Sequence, residues 1–522
     1  MYKKFLPLVF LVLFTCFATL ACSKKNSNTG PSETDNKPKT WYVSASGSDA
    51  NAGTMALPFK SINTALTWAN PGDTVMLRGG TYNATVSFTR SGVAGKNITV
   101  KAYPGEKPVI DGSNISVSGW QAMLTLKDTR YLTLDGLDIC NLTTALTNAD
   151  PEGIFINGAS HDITIKNCNI YNIKNNASLS NGRSGHAILV IGSNSTTAIT
   201  NLIIDHCTVH DTQTGTSENI TLAGNVSDFT ISHNTIYNTE NIGIIIAGGD
   251  GLNSSGNVAV NYARNGVVSD NVLYNVSMAN STAIWGVGNY GAIAIYICGG
   301  AGVVVERNKV YDSDRGIGLV SESNIYATRT TKVRNNFVYN CWRTGIYMGD
   351  YLNFTGSGTK SCYIVNNTLL GNDRAVGAFG EIEGEIRLTE HCDSNVIENN
   401  LVYGSASDLF VHKYTTTGGN NIVDHNLYYT MGSPGWIWQS TNGTVLTTPG
   451  AWQAASGMDV GSVYGVDPLL VSVSASASDL HLRAGSPAKN TGVVLSADIA
   501  GSTDIDGNTR IVNGKISIGA QQ

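Results

Sequence analysis

From Ile163 onward, apolar and polar residues alternate in short runs that recur along the chain. Each run carries a polar pair ending in Asn or Cys, then an apolar residue, a Tyr and an Asn. The copies read ITIKNCNIYN, LIIDHCTVHD, FTISHNTIYN, GVVSDNVLYN, VVVERNKVYD, TKVRNNFVYN, CYIVNNTLLG, NVIENNLVYG and NIVDHNLYYT. Alternation at period two marks strands with one buried face. The anchors are Cys168, Cys207, Asn234, Asn271, Asn308, Asn336, Asn367, Asn400 and Asn426, separated by 26 to 39 residues. Such variable intervals exclude helical repeats of fixed length. They predict a solenoid of β-coils with a constant core and corner loops of different length. One coil cannot bury its apolar face alone, so neighbours stack at the strand spacing of about 4.8 Å. The recurring Asn predicts a ladder of amides, each satisfying the turn backbone of the next coil. Cys168 and Cys207 fall in the same stack.

A second strand precedes the anchors: GIFIN, AILVI, NITLA, GIIIA, AIYIC, GIGLV, GIYMG and EIRLT. Its inward pairs run from Ile154/Ile156 through Ile188/Val190, Ile220/Leu222, Ile244/Ile246, Ile295/Ile297, Ile317/Leu319 and Ile346/Met348 to Ile386/Leu388. The outward residues between them are Phe155, Leu189, Thr221, Ile245, Tyr296, Gly318, Tyr347 and Arg387. The stretch GEIEGEIRL at 380–388 reads as one such rung, with Glu381, Glu383, Glu385 and Arg387 in a row on the outer face.

The piece beginning WYVSASGSDANAG, with a short amphipathic helix expected at 61–69, and the tail DLHLRAGSPAKNTG…DIDGNTR…ISIGA resemble the two ends of carbohydrate-active extracellular proteins. From Trp41 to its end the chain resembles the right-handed parallel β-helix superfamily, which is pectate lyase-like. The resemblance implies an all-β solenoid of about ten or more coils, one domain over 41–522, and a helix capping the open N-terminal end. It does not imply a reaction, because the superfamily includes lyases, glycosidases, epimerases and adhesins. His186 in SGHAIL brushes against the polygalacturonase GHG signature, but NTE at 238–240 stands where NTD is wanted, and no Asp-Asp pair exists. The IIDH at 203–206 has no RxPxxR to make it a pectate lyase motif. No family's catalytic residues carry over, and His186 reads as structural rather than catalytic.

The first residues, MYKK, precede an apolar run ending in TLAC. Residues 1–21 resemble a bacterial lipoprotein signal, which implies Cys22 as the lipid-bearing residue and an anchor on the outer membrane. Residues 22–40 contain no large apolar residue and read as a flexible tether. Seven cysteines remain in the folded part, an odd number that argues against a full disulfide framework. The chain has no CxxC and no His/Cys cluster at zinc spacing, which argues against a structural zinc. A net charge of −6 and a pI of about 5.8 exclude a generally basic surface, so nucleic acid is not an expected partner. A monomer, touching a membrane only through its lipid, is expected.

Candidate chemistry gathers on the outer face of the second strand. Tyr296 and Tyr347 are expected to stack on sugar rings, unless a side loop buries them. Glu322 and Asp350 follow adjacent rungs and are expected about 5 Å apart, one coil spacing, as acid/base or nucleophile. Closely set carboxylates push one pKa up, and their separation bears on retaining or inverting stereochemistry. Glu383, Glu385 and Arg387 form a flanking or alternative catalytic group, with Arg315 and Arg343 orienting the substrate. Long insertions before Asp205, Asp270 and Glu306 are expected to wall the groove. The function expected is degradation of a polysaccharide. Hydrolysis is favoured slightly, because carboxylates outnumber basic groups at the groove and the chain is acidic. Elimination on a uronic-acid polymer, with calcium held by the acids, and non-catalytic glycan binding are the alternatives. No cofactor is certain and no metal site is assigned.

Overall fold

The structure is a computed structural model that describes residues 37–522, apart from 179–181, 252, 254–255, 352, 376, 405–408 and 441. Cys22, the signal and most of the tether lie outside the described residues. Residues Pro38–Gln522 pack as one unit. Three long parallel sheets run its length and are visited in turn by every coil. The first has 13 strands, from Thr40–Val43 to Ile422–Asp424, the second 13, from Gly80–Tyr82 to Val463–Tyr464, and the third 12, from Val86–Phe88 to Gly435–Trp438. The expected all-β parallel solenoid is what the chain forms.

The polar pair in each repeat makes the corner between the first and second sheets. Its first member takes the left-handed conformation, as at Asn167, His206, His233, Asp270, Arg307, Asn335, Asn366, Asn399 and His425, each with φ between 52° and 58°. Asn, Asp and His tolerate that region better than most residues. Its second member is the anchor. From Asn234 to Asn426 each anchor's Oδ1 accepts the backbone N–H of the anchor one coil earlier. Asn308 Oδ1, for instance, lies 3.0 Å from Asn271 N, and Asn336 Oδ1 lies 2.9 Å from Asn308 N. The recurring aromatic three residues further on has a packing reason too. Tyr171, His210, Tyr237, Tyr274, Tyr311 and Tyr339 stack ring on ring at 5.0–5.1 Å along the second sheet.

The third sheet keeps strict register. Ile154, Ile188, Ile220, Ile244, Ile295, Ile317, Ile346, Ile386 and Val411 are successive partners, all buried in the core. Helix Ile62–Trp68 packs at the N-terminal end. Ser61 is its N-cap, accepting from Thr64 N, and Ile62, Ala65 and Leu66 are buried. At the other end helix Pro449–Ser456 brings Trp452 against Trp436. All seven described cysteines are free and buried.

Buried polar braces hold the long insertions that carry Arg183 and Trp285. Glu240 pairs with the Arg183 guanidinium, and accepts from Gly215 N at 2.8 Å and Trp285 Nε1 at 2.9 Å. Asp314 accepts from Met278 N at 2.9 Å and Ala292 N at 3.0 Å. An ion pair this deep is stabilising only while all its partners stay in place. The strip that the sequence presents outward is itself buried at Leu189, Thr221, Ile245, Tyr296, Tyr347 and Arg387.

Candidate functional site

Three arginines from three successive coils meet two glutamates on this face. Arg315 opens strand Arg315–Ser321, Arg343 stands just before strand Ile346–Asp350, and Arg387 is the middle of strand Ile386–Leu388. Glu383 lies among them, 2 % exposed. It accepts from Arg387 at 2.6 Å, Arg315 at 3.0 Å and Thr344 N at 2.9 Å, and pairs with Arg343 as well. Burial opposes ionisation of Glu383, but the three guanidinium groups overcome it and hold its carboxyl far below the usual range. Glu381 caps the same arginines from outside, 2.7 Å from Arg387 and 3.5 Å from Arg315, with Arg343 also in contact. Its side chain is 42 % exposed. Three cations face two anions, so the cluster carries one surplus positive charge. The Tyr347 ring packs beneath it, 5.0 Å from the Arg315 guanidinium carbon and 5.7 Å from that of Arg387.

A cavity of about 450 Å³ opens beside the cluster, lined by residues that include Tyr347, Asp350, Glu381, Arg387, His412 and Tyr414. His412 is the register partner of Arg387 on the next coil. It is buried, and neither ring nitrogen has a hydrogen-bond partner. Burial, with the neighbouring Arg387 charge, lowers its pKa to about 4, so the imidazole is neutral near pH 7. Asp350 is buried with both oxygens 3.0–3.1 Å from His391 Nδ1. Burial raises its pKa and His391 opposes the rise. The cavity therefore offers one guanidinium, Arg387, an uncharged imidazole, a carboxyl displaced towards its protonated form at Asp350, and the carboxyls of Glu381 and Glu390.

Several expectations need correction. Glu322 and Asp350 do not form a pair. Asp350 is in register with Ser321, not Glu322, and it is turned to His391 after Gly349, whose φ is 115°. Glu322 is exposed and accepts from the Tyr296 hydroxyl at 2.8 Å. Tyr296 and Tyr347 are not open platforms. Both are buried in an apolar cluster with Ile242, Ile245 and Ile293. The row across 380–388 does not exist as a strand. Gly380 and Gly384 take φ of 69° and 104°, a 3-10 turn covers Ala378–Gly380, and only Ile386–Leu388 pairs. Glu385 consequently leaves the row. It is fully buried and accepts from Asn372 N and Nδ2 at 2.9 and 2.7 Å, with burial raising its pKa to about 8.

The fold does bring Glu383, Arg315, Arg343 and Arg387 together. His412 and Tyr414 were not singled out, although the alternation in LFVHK at Leu409–Lys413 sets His412 outward like Arg387. His186 is buried and bonded through Nδ1 to Thr221 Oγ1 at 2.9 Å.

The family description "Pel9A-like, right handed beta helix region" matches residues 41–240, and "Right handed beta helix region" matches 152–331. The chain is 32% identical over 398 residues to the uncharacterized protein YwoF of Bacillus subtilis, covering 76% of this chain and 81% of YwoF. It is 32% identical over 133 residues to pectate lyase PEL9 of Emericella nidulans, 23% of this chain and 30% of the lyase. Among solved structures, a GH136 lacto-N-biosidase from Eubacterium ramulus superposes with a TM-score of 0.50 at 15% identity, over 82% of this chain and 68% of that one. At that identity the likeness is one of fold.

Proposed function

Because the chain belongs to the right-handed parallel β-helix family that includes YwoF, we propose that it cleaves an acidic polysaccharide by β-elimination at the cavity beside Arg387. The observation that carries this reading is Arg387, the arginine of the cluster that lines that cavity, joined through Glu381 and Glu383 to Arg315 and Arg343 behind it. Guanidinium groups bind carboxylates in a paired, planar geometry. A uronate carboxylate that displaces the half-exposed Glu381 gains Arg387 and Arg343, while Glu383 stays below as the fixed counter-ion. Neutralising the sugar carboxylate acidifies its α-hydrogen. The neutral His412 imidazole takes that proton, the C4–O bond breaks as the C4–C5 double bond forms, and Tyr414 or Asp350 returns a proton to the leaving oxygen. The acidity of the whole chain pointed towards hydrolysis; the placing of Arg387 beside the neutral His412 in one cavity favours elimination. Hydrolysis is the second reading, supported by the raised pKa of Asp350 in the same cavity as the ion-paired Glu381. Export and lipid anchoring at Cys22 belong to the same proposal and are tested by lipid labelling of Cys22→Ser.

The deciding experiment incubates the full chain with polygalacturonate, alginate and neutral glycans, with and without calcium, and follows the ultraviolet absorbance of unsaturated uronate. Elimination predicts absorbing products from an acidic polymer only, lost in Arg387→Ala and His412→Ala. Cleavage of neutral chains without absorbing products supports hydrolysis instead. Binding without any shortened product makes the chain a glycan-binding protein.

A further inference from the structure

On the opposite flank of the coil, where the first sheet turns into the second, two histidines converge on one carboxylate. Asp205 closes strand Thr200–Asp205, and His206 takes the left-handed corner with φ 52°. One coil later Ser232 is the register partner of Asp205, and His233 takes the same corner with φ 54°. The imidazoles stack with centroids 4.6 Å apart and planes 14° from parallel. Stacking alone follows from the coil repeat. It does not require both rings to aim the same nitrogen at the same group. Yet His206 Nδ1 lies 2.7 Å from Asp205 Oδ2 and His233 Nδ1 lies 2.9 Å from Oδ1, and the Ser232 hydroxyl donates to Oδ1 at 2.8 Å. Among the described residues this is the one group of three such side chains whose ligand atoms all lie within 4.8 Å of one another.

We infer that Asp205, His206 and His233 form a binding site for a divalent cation of the zinc class. Two imidazoles and one carboxylate are zinc donors, and three protein ligands leave a position for water. Bond lengths near 2.0–2.1 Å to nitrogen and oxygen require tetrahedral ligands about 3.3 Å apart. The carboxylate–imidazole contacts need to open by only about half an ångström. Both histidine side chains are half exposed, 57% and 50%, and free to turn by that amount. Calcium and magnesium prefer all-oxygen shells, so the imidazoles select against them.

The neighbouring charges are engaged elsewhere. Lys166, the register partner of Asp205 on the preceding coil, sends its amine to Asp135 at 3.5 Å. On the coil after His233, Asp270 pairs with Arg307 at 2.8 Å, and Glu306 holds Arg307 as well. The ligands come from adjacent coils, so they carry none of the short linear spacing by which zinc sites are usually read. Bound metal ties two coils together at their outer corner, on a different sheet from the cavity.

The test is calorimetric titration of the metal-free full chain with zinc chloride, beside His206→Ala, His233→Ala and His425→Ala. His425 follows Asp424 at an equivalent corner but has no second histidine there, so it serves as the control. One zinc per chain is expected for wild type and His425→Ala, with affinity reduced about tenfold or more in the other two. Zinc should raise the unfolding temperature only in the chains that bind it, and matching metal-free unfolding curves establish that the variants fold. No zinc binding by the wild type, or equal binding by the His206 and His233 variants, overturns the site.

Discussion

Replacing Asn308 by Ala removes one rung of the corner ladder while leaving the strands on either side unchanged. The Asn308 amide makes four hydrogen bonds. Its Nδ2 donates to Val268 O at 2.9 Å and Asn336 Oδ1 at 3.0 Å, and its Oδ1 accepts from Asn271 N and Asn271 Nδ2, both at 3.0 Å. Two of the partners keep another bond. Asn271 Nδ2 still reaches Ile231 O at 2.9 Å, and Asn336 Oδ1 still accepts from Asn308 N at 2.9 Å. The Asn271 N–H and the Val268 carbonyl lose the amide and have no water to replace it, since the rung is fully buried. At about 1 kcal/mol net per bond, and about 1–3 kcal/mol for a buried donor left unsatisfied, the loss is about 3–5 kcal/mol. Urea unfolding followed by tryptophan fluorescence measures it. Because each coil touches only its neighbours, amide exchange should quicken first in the coils carrying Asn271 and Asn336. Asn308→Asp keeps the acceptor but gives up the donor and buries a charge, so it should be at least as harmful near pH 7 and recover partly in acid. A loss below about 1 kcal/mol, or exchange that quickens evenly along the solenoid, would refute the ladder as a load on stability.

Two further outcomes concern pH. With the His412 pKa lowered to about 4, kcat/KM on an acidic polymer should stay level down to about pH 5 and fall only around pH 4; an acid limb near the ordinary histidine value of 6.5 would remove His412 from the role of base. Stability should vary in a definite direction. Burial raises Glu152, Glu218 and Glu385 from 4.5 to about 8, so between those values the folded chain holds protons that the unfolded chain releases. Their contribution is complete below about 4.5 and declines as pH rises towards 8, by up to about 1.4 kcal/mol per pH unit for each group. Glu383, depressed by its arginines, acts oppositely: its contribution is present above 4.5 and is lost as pH falls below that value. Urea midpoints should therefore peak in mildly acidic buffer, and a midpoint that climbs from about pH 5 to about pH 8 would contradict the assignment of these carboxyls. Glu152→Gln, which replaces a buried carboxyl whose two oxygens have no partner, should flatten part of the decline.

The fold was legible because everything that makes it is local. Period-two alternation sets each strand, a left-handed residue (Asn, Asp or His at every corner but that of Arg307) sets each corner, and the residue after it builds the ladder; all three recur within about ten residues of one another in every copy. The site was legible only where it inherits that regularity. Arg387 and Tyr347 stand at outward positions of well-formed strands and are paired as the alignment of repeats requires. Glu385 does not, because glycines at 380 and 384 with positive φ break the extended path, after which counting by twos no longer tells which face a side chain takes. Glu322 and Asp350 look equivalent in the alignment but differ by one residue in register, and Gly349 with φ 115° turns the chain just before Asp350, so Glu322 ends exposed beside Tyr296 and Asp350 ends buried against His391 at the cavity.

Exposure was hidden for another reason. Tyr296 is outward by parity, yet it is buried among Ile242, Ile245, Val320 and Tyr347 of neighbouring coils, with its hydroxyl on Glu322. Only the third dimension relates them. The same argument explains why charge counted over the chain misleads about substrate. Of the acids that make the protein anionic, Glu383 is spent inside the arginine cluster and Glu385 is buried against Asn372, so neither is free to repel a polymer that meets Arg387. A sugar carboxylate that replaces Glu381 there exchanges one ion-pair partner for another at Arg387 and Arg343, while a neutral chain that displaced Glu381 would leave those arginines short of a partner, which makes an acidic chain the better fit to this cavity.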